Sequence, residues 1–243
     1  MKKEPKNTYG QILILNQQEI FDFLTNAIST TAQGHENATV ALTGGSTPKV
    51  YYKFIKENPQ LIDKKAWDSI TWMTSDERYV PLESEDSNFG CATRGMLDAL
   101  QITQQNRLTW NTSLDPKECA NQFNKQWNQK FSSNKGFDLC FLGMGDDCHT
   151  ASLFPQSELL KNPIETNFSE IEVPGKGWRL TTTINGLSKC GQIIITATGA
   201  NKAKALNQII NGEYDPINKP SQILKQFSDK VTWLVDQEAA SDL

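Results

Sequence analysis

The chain has 243 residues, 37% apolar and 21% charged, and its 24 Lys and Arg against 28 Asp and Glu leave a formal net charge of −4. That length suits one large α/β domain or two small ones with an ample core, and the composition has neither a collagen bias nor the charge excess of a disordered chain. The mild acidity argues against a general nucleic-acid or anionic-membrane binder, because no surplus of cations is available to neutralise a track of phosphates. Any bound anion must be small and held by a local cluster.

The N-terminal residues Met1-Lys2-Lys3-Glu4-Pro5-Lys6 are charged and lack the apolar stretch of a signal peptide. No run approaches the ~20 apolar residues that span a bilayer. Residues 11–15 read as a strand, after which Ile20, Phe23, Leu24, Ala27 and Ile28 form one face of an amphipathic helix. Residues 39–42 are β-branched and apolar, and Thr43-Gly44-Gly45-Ser46-Thr47-Pro48 then breaks the chain before a helix through Tyr52 and Ile55. A third strand, 70–73, ends in Thr74-Ser75-Asp76-Glu77-Arg78, and a helix from about Asn88 turns Phe89, Ala92, Met96, Leu97 and Leu100 inward. Pro116 stands near the start of a helix carrying Ala120, Phe123, Trp127 and Phe131 at helical spacing. An apolar strand, 137–142, runs into Gly143-Met144-Gly145-Asp146-Asp147-Cys148-His149. The stretch 157–177 has the least pattern and is expected to be a loop or an excursion over the site. Residues 179–183 are a short strand and 192–198 a β-branched one; Thr198-Gly199-Ala200-Asn201-Lys202 then opens a helix through Leu206 and Ile210, and 231–235 close the sequence as a strand. Strand–helix alternation with unbroken apolar strands predicts an α/β fold with a mostly parallel sheet and helices on both faces. With no linker or repeat to divide it, residues 1–243 are expected to form one domain.

Polar segments, most of them glycine-bearing, directly follow several predicted strands. In an open parallel sheet the carboxyl ends of the strands form one ligand-binding edge, so these segments are expected to converge. Gly44, Gly45, Ser46 and Thr47 precede a helix with Pro48 in its first turn, which suits a small anion held by free N–H groups and hydroxyls. The same segment also reads as a plain strand-to-helix turn that caps its own helix. It is not a Walker A loop, and Gly143-x-Gly145-x-x-Cys148 lacks the third glycine of a dinucleotide fingerprint while placing carboxylates where a pyrophosphate would sit. His149, one of two histidines, stands beside Asp147. A neutral imidazole there can take a proton from water, with the carboxylate fixing its tautomer, or it can be structural. His35 lies in a polar loop and reads as solvated. Arg78, Arg179 and Lys202 read singly as surface charges and together as a cationic pocket for one dianion. Five cysteines, Cys91, Cys119, Cys140, Cys148 and Cys190, form no C-x-x-C pair. Neither a disulfide framework nor a zinc ribbon is expected, and reduced thiols fit a cytoplasmic protein. No metal array and no G-x-S-x-G elbow are present.

Taken in order, Leu42-Thr43-Gly44-Gly45-Ser46-Thr47-Pro48, Ser75-Asp76-Glu77-Arg78 with Val80-Pro81 and Ser87-Asn88, Gly143-Met144-Gly145 with Asp147, and His149-Thr150-Ala151-Ser152-Leu153-Phe154-Pro155 resemble the motifs of the 6-phosphogluconolactonase family. Arg179-Leu180-Thr181 and Thr198-Gly199-Ala200-Asn201-Lys202-Ala203 are similar to its later segments, and the resemblance runs from about Ile12 to Val235. It implies a modified doubly wound fold and hydrolysis of 6-phosphoglucono-1,5-lactone, a step of the pentose phosphate pathway, without metal or nucleotide cofactor. A monomer or small homo-oligomer is expected. Under the resemblance Gly44, Gly45, Ser46 and Thr47 would cradle the phosphate, and Arg78, Arg179 and Lys202 would bind phosphate or sugar oxygens. His149 would activate water, oriented by Asp147, and Asp76 would hold a sugar hydroxyl or Arg78. Cys148 departs from the glycine usual between that Asp and His. If the position needs a positive φ, a side chain there costs on the order of 1 kcal/mol, and a nucleophilic thiol is a competing reading. Two rival functions share the sheet. Glucosamine-6-phosphate deaminase/isomerase enzymes typically carry an aromatic at Arg78 and Ile-Ala-Phe-Asn-Glu-Pro after the loop histidine. Sugar-phosphate sensors commonly add a DNA-binding helix pair, for which the start of this chain leaves no room.

Overall fold

The computed structural model describes residues 8–35 and 37–243, so the charged residues 1–6 lie outside the described residues. The strands and helices follow the expected alternation: β1 Gln11–Ile14, α1 Gln17–Gly34, β2 Thr39–Leu42, α2 Ser46–Glu57, α3 Lys64–Asp68, β3 Thr71–Thr74, β4 Asp76–Arg78, α4 Asn88–Ala92, α5 Pro116–Lys130, β5 Leu139–Gly143, α6 Glu158–Lys161, β6 Phe168–Val173, β7 Gly177–Thr182, α7 Ile184–Ser188, β8 Gln192–Ala197, α8 Ala203–Ile210 and β9 Val231–Val235. Local chemistry sets several boundaries. Asn16 and Glu19 form a reciprocal capping box at α1, and Asp115 caps α5 ahead of Pro116.

Six strands form a wholly parallel sheet in the order β1-β9-β8-β5-β2-β3. Both faces are covered, and successive strand residues supply opposite cores. Ala41, Cys140, Leu142, Ile193 and Ile195 pack with Phe123, Trp127 and Leu206 on one side. Val40, Leu42, Leu139, Phe141 and Ile194 pack with Ile28, Tyr52, Trp67 and Met96 on the other. From β2 the chain proceeds outward to β3, and from β5 it proceeds the other way to β8, so a topological switch point lies between β2 and β5.

Three expectations are corrected. Of the two alternatives for residues 157–177, a loop is overturned: they contain α6 and β6, and β6 pairs antiparallel with β7 from Phe168↔Thr182 to Val173↔Gly177. The short strand expected at 179–183 belongs to this hairpin and not to the parallel sheet, with Thr183 as the N-cap of α7. Residues 76–78 are likewise not a mere strand end. They form β4, which adds to β7 and makes a second, three-stranded antiparallel sheet. Ser75 joins the two sheets, donating its N–H to Leu42 (2.8 Å) and accepting from Thr182 (2.8 Å).

Candidate active site

A cleft of about 230 Å³ opens at the carboxyl edge of the parallel sheet, over the switch point. Its wall includes the turn after β2 (Thr43 to Pro48), Gly143, Met144 and Gly145 at and after the end of β5, and Thr196, Thr198 and Lys202 at and after β8. The second sheet contributes Asp76 and Arg78, α4 contributes Asn88, and His149 closes one side. The polar segments that follow separate strands therefore do converge.

The two glycines of the first turn are there for different reasons. Gly45 sits at φ 113°, a conformation open to glycine, and is the N-cap residue of α2 without a side-chain cap. Gly44 has no positive φ, but a Cβ on it would lie 2.0 Å from Oδ1 of Asn88. Glycine thus lets α4 approach the turn. The Thr47 hydroxyl is engaged with that of Thr198 at 2.6 Å, which ties the turn to the end of β8, while Ser46 is exposed at the helix start.

The loop after β5 is folded back on itself to present His149. Gly145 N–H donates to His149 O (2.9 Å), and the Thr150 hydroxyl donates to Gly143 O (3.0 Å). A Cβ on Gly145 would lie 2.0 Å from His149 Nδ1, so this glycine is needed for the imidazole to lie where it does. Asp147 accepts from the His149 backbone N–H at 3.1 Å and engages His149 Nδ1 at 2.5 Å. Burial pushes the Asp147 carboxyl up, but the bond and charge of His149 and the nearby Lys176 outweigh it and bring the acid down to about 2. With Nδ1 held, Nε2 makes no hydrogen bond among the described residues and is the nitrogen free to act. His35 is half exposed, 3.6 Å from Asp138, far along the fold from this cleft.

Cys148 adopts φ 65°, so the chain does place a side chain where glycine is easier. Its Sγ points to the carbonyl of Ala205 and Oε1 of Gln208, each 3.7 Å away on α8. The thiol is buried, and burial with the Asp147 charge raises its pKa. Cys148 does not line the cleft, and the nucleophile reading has no geometry to stand on.

On the second sheet, Asp76 is buried, accepts from the Ser152 hydroxyl at 2.7 Å, and is pushed up by burial against the pull of Ser152, Arg78 and His149. It does not hold Arg78 in an ion pair: the Arg78 Nη1 donates to the Asp86 carbonyl at 3.0 Å. Arg78 and Arg179 are directly opposite across β4 and β7, a like-charge pairing that costs stability when uncompensated. Arg179 is not on the cleft wall; burial and the Arg78 charge lower its pKa. Lys202 reaches the wall with no ion pair among the described residues.

Several supporting residues had no local signal in sequence. Glu77 accepts the N–H groups of Arg78 (2.8 Å), Asn88 (2.6 Å) and Phe89 (2.8 Å) and the Ser87 hydroxyl (3.2 Å). Ser152 bridges the His149 loop to Asp76 and takes its backbone N–H to Thr181 Oγ1 (3.1 Å), while Ser221 donates twice to the Cys148 carbonyl. The contacts of Ser152 and Ser221 join segments far apart in the chain.

A family model for glucosamine-6-phosphate isomerases/6-phosphogluconolactonase matches residues 16–233. A 6-phosphogluconolactonase of Synechocystis sp. is 34% identical over 227 residues, which cover 90% of this chain and 89% of that one. Among solved structures, the 6-phosphogluconolactonase from Trypanosoma cruzi superposes with a TM-score of 0.83 at 23% identity, over 100% of this chain and 99% of that one. A monomeric glucosamine-6-phosphate deaminase gives a TM-score of 0.79 at 16% identity, over 96% and 99%, so the fold is common to both activities. With the whole length from α1 to β9 accounted for in this way, the chain belongs to the glucosamine-6-phosphate isomerase/6-phosphogluconolactonase family.

Proposed function

We infer that this chain hydrolyses 6-phospho-D-glucono-1,5-lactone to 6-phosphogluconate, and that His149 is the general base. The observation that carries this reading is the pairing of His149 Nδ1 with Asp147 at 2.5 Å on a wall that also holds Arg78 and Lys202. Nε2 takes a proton from water as the oxygen adds to the lactone carbonyl, and Asp147 balances the resulting imidazolium. The tetrahedral oxyanion collapses by breaking the ring C–O bond, and the ring oxygen leaves with the proton from Nε2. The turn from Gly44 to Thr47, with the free N–H groups at the start of α2, and Lys202 support a phosphate at that end of the cleft. Arg78 lines the cleft and makes no ion pair among the described residues, which supports its reading as a contact for a phosphate or sugar oxygen. Asp76, kept buried by Ser152, is an acceptor for a sugar hydroxyl.

No helix among the described residues is long and apolar enough to cross a membrane, and the five cysteines are unpaired, as a reducing cytoplasm would keep them. The test is lactone hydrolysis measured beside ammonia release from glucosamine 6-phosphate. Rapid hydrolysis above the spontaneous background with no ammonia is the expected result, and the reverse would replace the reading by the deaminase one.

A further inference from the structure

Asp147 fixes one edge of the His149 ring, which leaves open what fixes its plane. The imidazole lies on Phe154, with ring centroids 4.2 Å apart and planes 27° apart. The ammonium of Lys176 stands over the same phenyl ring, 4.9 Å from its centroid. Lys176 also contributes to the charge that holds Asp147 ionised. It comes from the tip of the β6–β7 hairpin, where its N–H donates to the Val173 carbonyl at 2.9 Å. Pro174 and Gly175, the latter at φ 72°, are the central pair that a type II turn asks for, so the lysine is carried on a stiff turn. Phe154 itself follows the Thr150–Leu153 bridge and Ser152, which is pinned to Asp76 and Thr181.

We propose that Phe154 and Lys176 are positioning residues for His149, Phe154 as the plate that sets the imidazole plane and Lys176 as the cation that seats that plate and links the hairpin to the His149–Asp147 pair. The proposal rests on the reading of His149 as general base. Stacking restricts rotation about the side-chain axis while leaving Nε2 open to the cleft, which is what a base needs if its lone pair is to meet one water in one direction. The cation draws on the negative face of the phenyl ring. The charged groups that bear on this pair are Asp147 on the loop, Asp76 on β4 and Lys176 on the hairpin.

The test uses the fact that the chain has only two histidines. His35→Gln assigns the imidazole signals by NMR without substrate. The His149 ring protons of the wild-type protein should be shifted upfield by the Phe154 ring, and Phe154→Leu should abolish that shift. In kinetics, Phe154→Leu should lower kcat roughly tenfold or more with KM within about twofold, as expected of a misaimed base, while Phe154→Tyr keeps the flat face and most of the rate. Lys176→Met, an exposed change that leaves the fold intact, should cost about threefold in kcat, and Lys176→Arg should restore it. Absence of the upfield shift in the wild type overturns the stack. A Phe154→Tyr variant as slow as Phe154→Leu, or unchanged kcat in Lys176→Met, overturns the positioning role. Failure of the wild-type lactone assay would instead strike at the proposed function, since the ring-current measurement does not depend on turnover.

Discussion

As the proposed general base, His149 depends on one edge, one face and one free nitrogen. The edge is held by Asp147 at 2.5 Å, and His149 lines the cleft with no hydrogen bond to Nε2 among the described residues. His149→Ala should therefore lower kcat by roughly 10²–10⁴-fold with little change in product affinity, as loss of a positioned base does. Steady-state hydrolysis corrected for the spontaneous rate checks this, and near-normal turnover of the folded variant would refute it. The neighbouring Cys148 is expected to be replaceable. Its φ of 65° favours glycine, and its thiol turns away toward α8. Relief of the backbone, worth about 1 kcal/mol, is set against the loss of a buried sulfur, so Cys148→Gly should fold with nearly unchanged stability and keep or improve its activity. Cys148→Ser should stay active. Inactive variants, together with a sugar adduct on Cys148 trapped for mass spectrometry, would restore the thiol mechanism. The conformation of this residue was readable as a question from sequence, by comparison with the family's glycine. The direction of its side chain was not, because that depends on α8 packing against the loop.

Among the elements, the second sheet is the part that builds the site without belonging to the parallel frame. β4 delivers Asp76 and Arg78 to the cleft, and Glu77 between them points the other way and binds the start of α4. That clamp sets Asn88 against Gly44. Burial raises the Glu77 carboxyl to about 7 from an unfolded value of 4.5, with the three backbone N–H bonds working against the rise. A raised folded pKa means that the native state holds the proton more tightly, so this contribution to stability is complete below pH 4.5 and is lost as pH climbs through about 7. Glu77→Gln removes the titration and sets an NH₂ group against N–H donors. At acid pH it should be less stable by roughly 1–3 kcal/mol, and the gap to wild type should narrow as pH rises toward 7. Urea denaturation of both proteins across that range is the measurement, and a gap independent of pH would contradict the assignment.

For the whole molecule, two cores share one sheet, since alternate residues of β2, β5 and β8 face opposite ways. Neither core can be lost without exposing the other side of the same strands. The chain should therefore unfold as one domain in a single cooperative step. Trp67 and Trp72 lie on one face and Trp110, Trp127 and Trp233 on the other. Their fluorescence and the far-ultraviolet circular dichroism should fall together, and separated midpoints would divide the chain into two units. The charge distribution makes the second prediction. With an overall net charge of −4, attraction for a phosphate must come from Lys202, Arg78 and the free N–H groups at the start of α2. Unphosphorylated gluconolactone should be a far poorer substrate, and raised salt should weaken binding of phosphate-bearing ligands. Equal kcat/KM for the neutral lactone would refute the assignment of the phosphate end.

Hydrophobic periodicity is a local property, and it sufficed for the parallel frame. Unbroken apolar runs at β2, β5 and β8 can be buried only between two layers of helices, and the polar turns that follow them must then meet at one edge. Gly44 to Thr47, Asp147, His149 and Lys202 were legible on that ground, with the family resemblance assigning their roles. The β6–β7 hairpin was not, because its burial runs in blocks and does not alternate, which leaves no two-residue period to read. Contacts between distant segments were also beyond local pattern: Arg179 opposite Arg78, Asn88 against Gly44, Ser152 on Asp76, and the stack of His149, Phe154 and Lys176. Each depends on strand register or on the approach of two elements. Such distances arise only when the whole core closes, so the sequence named the candidate groups and the tertiary structure decided how they are aimed.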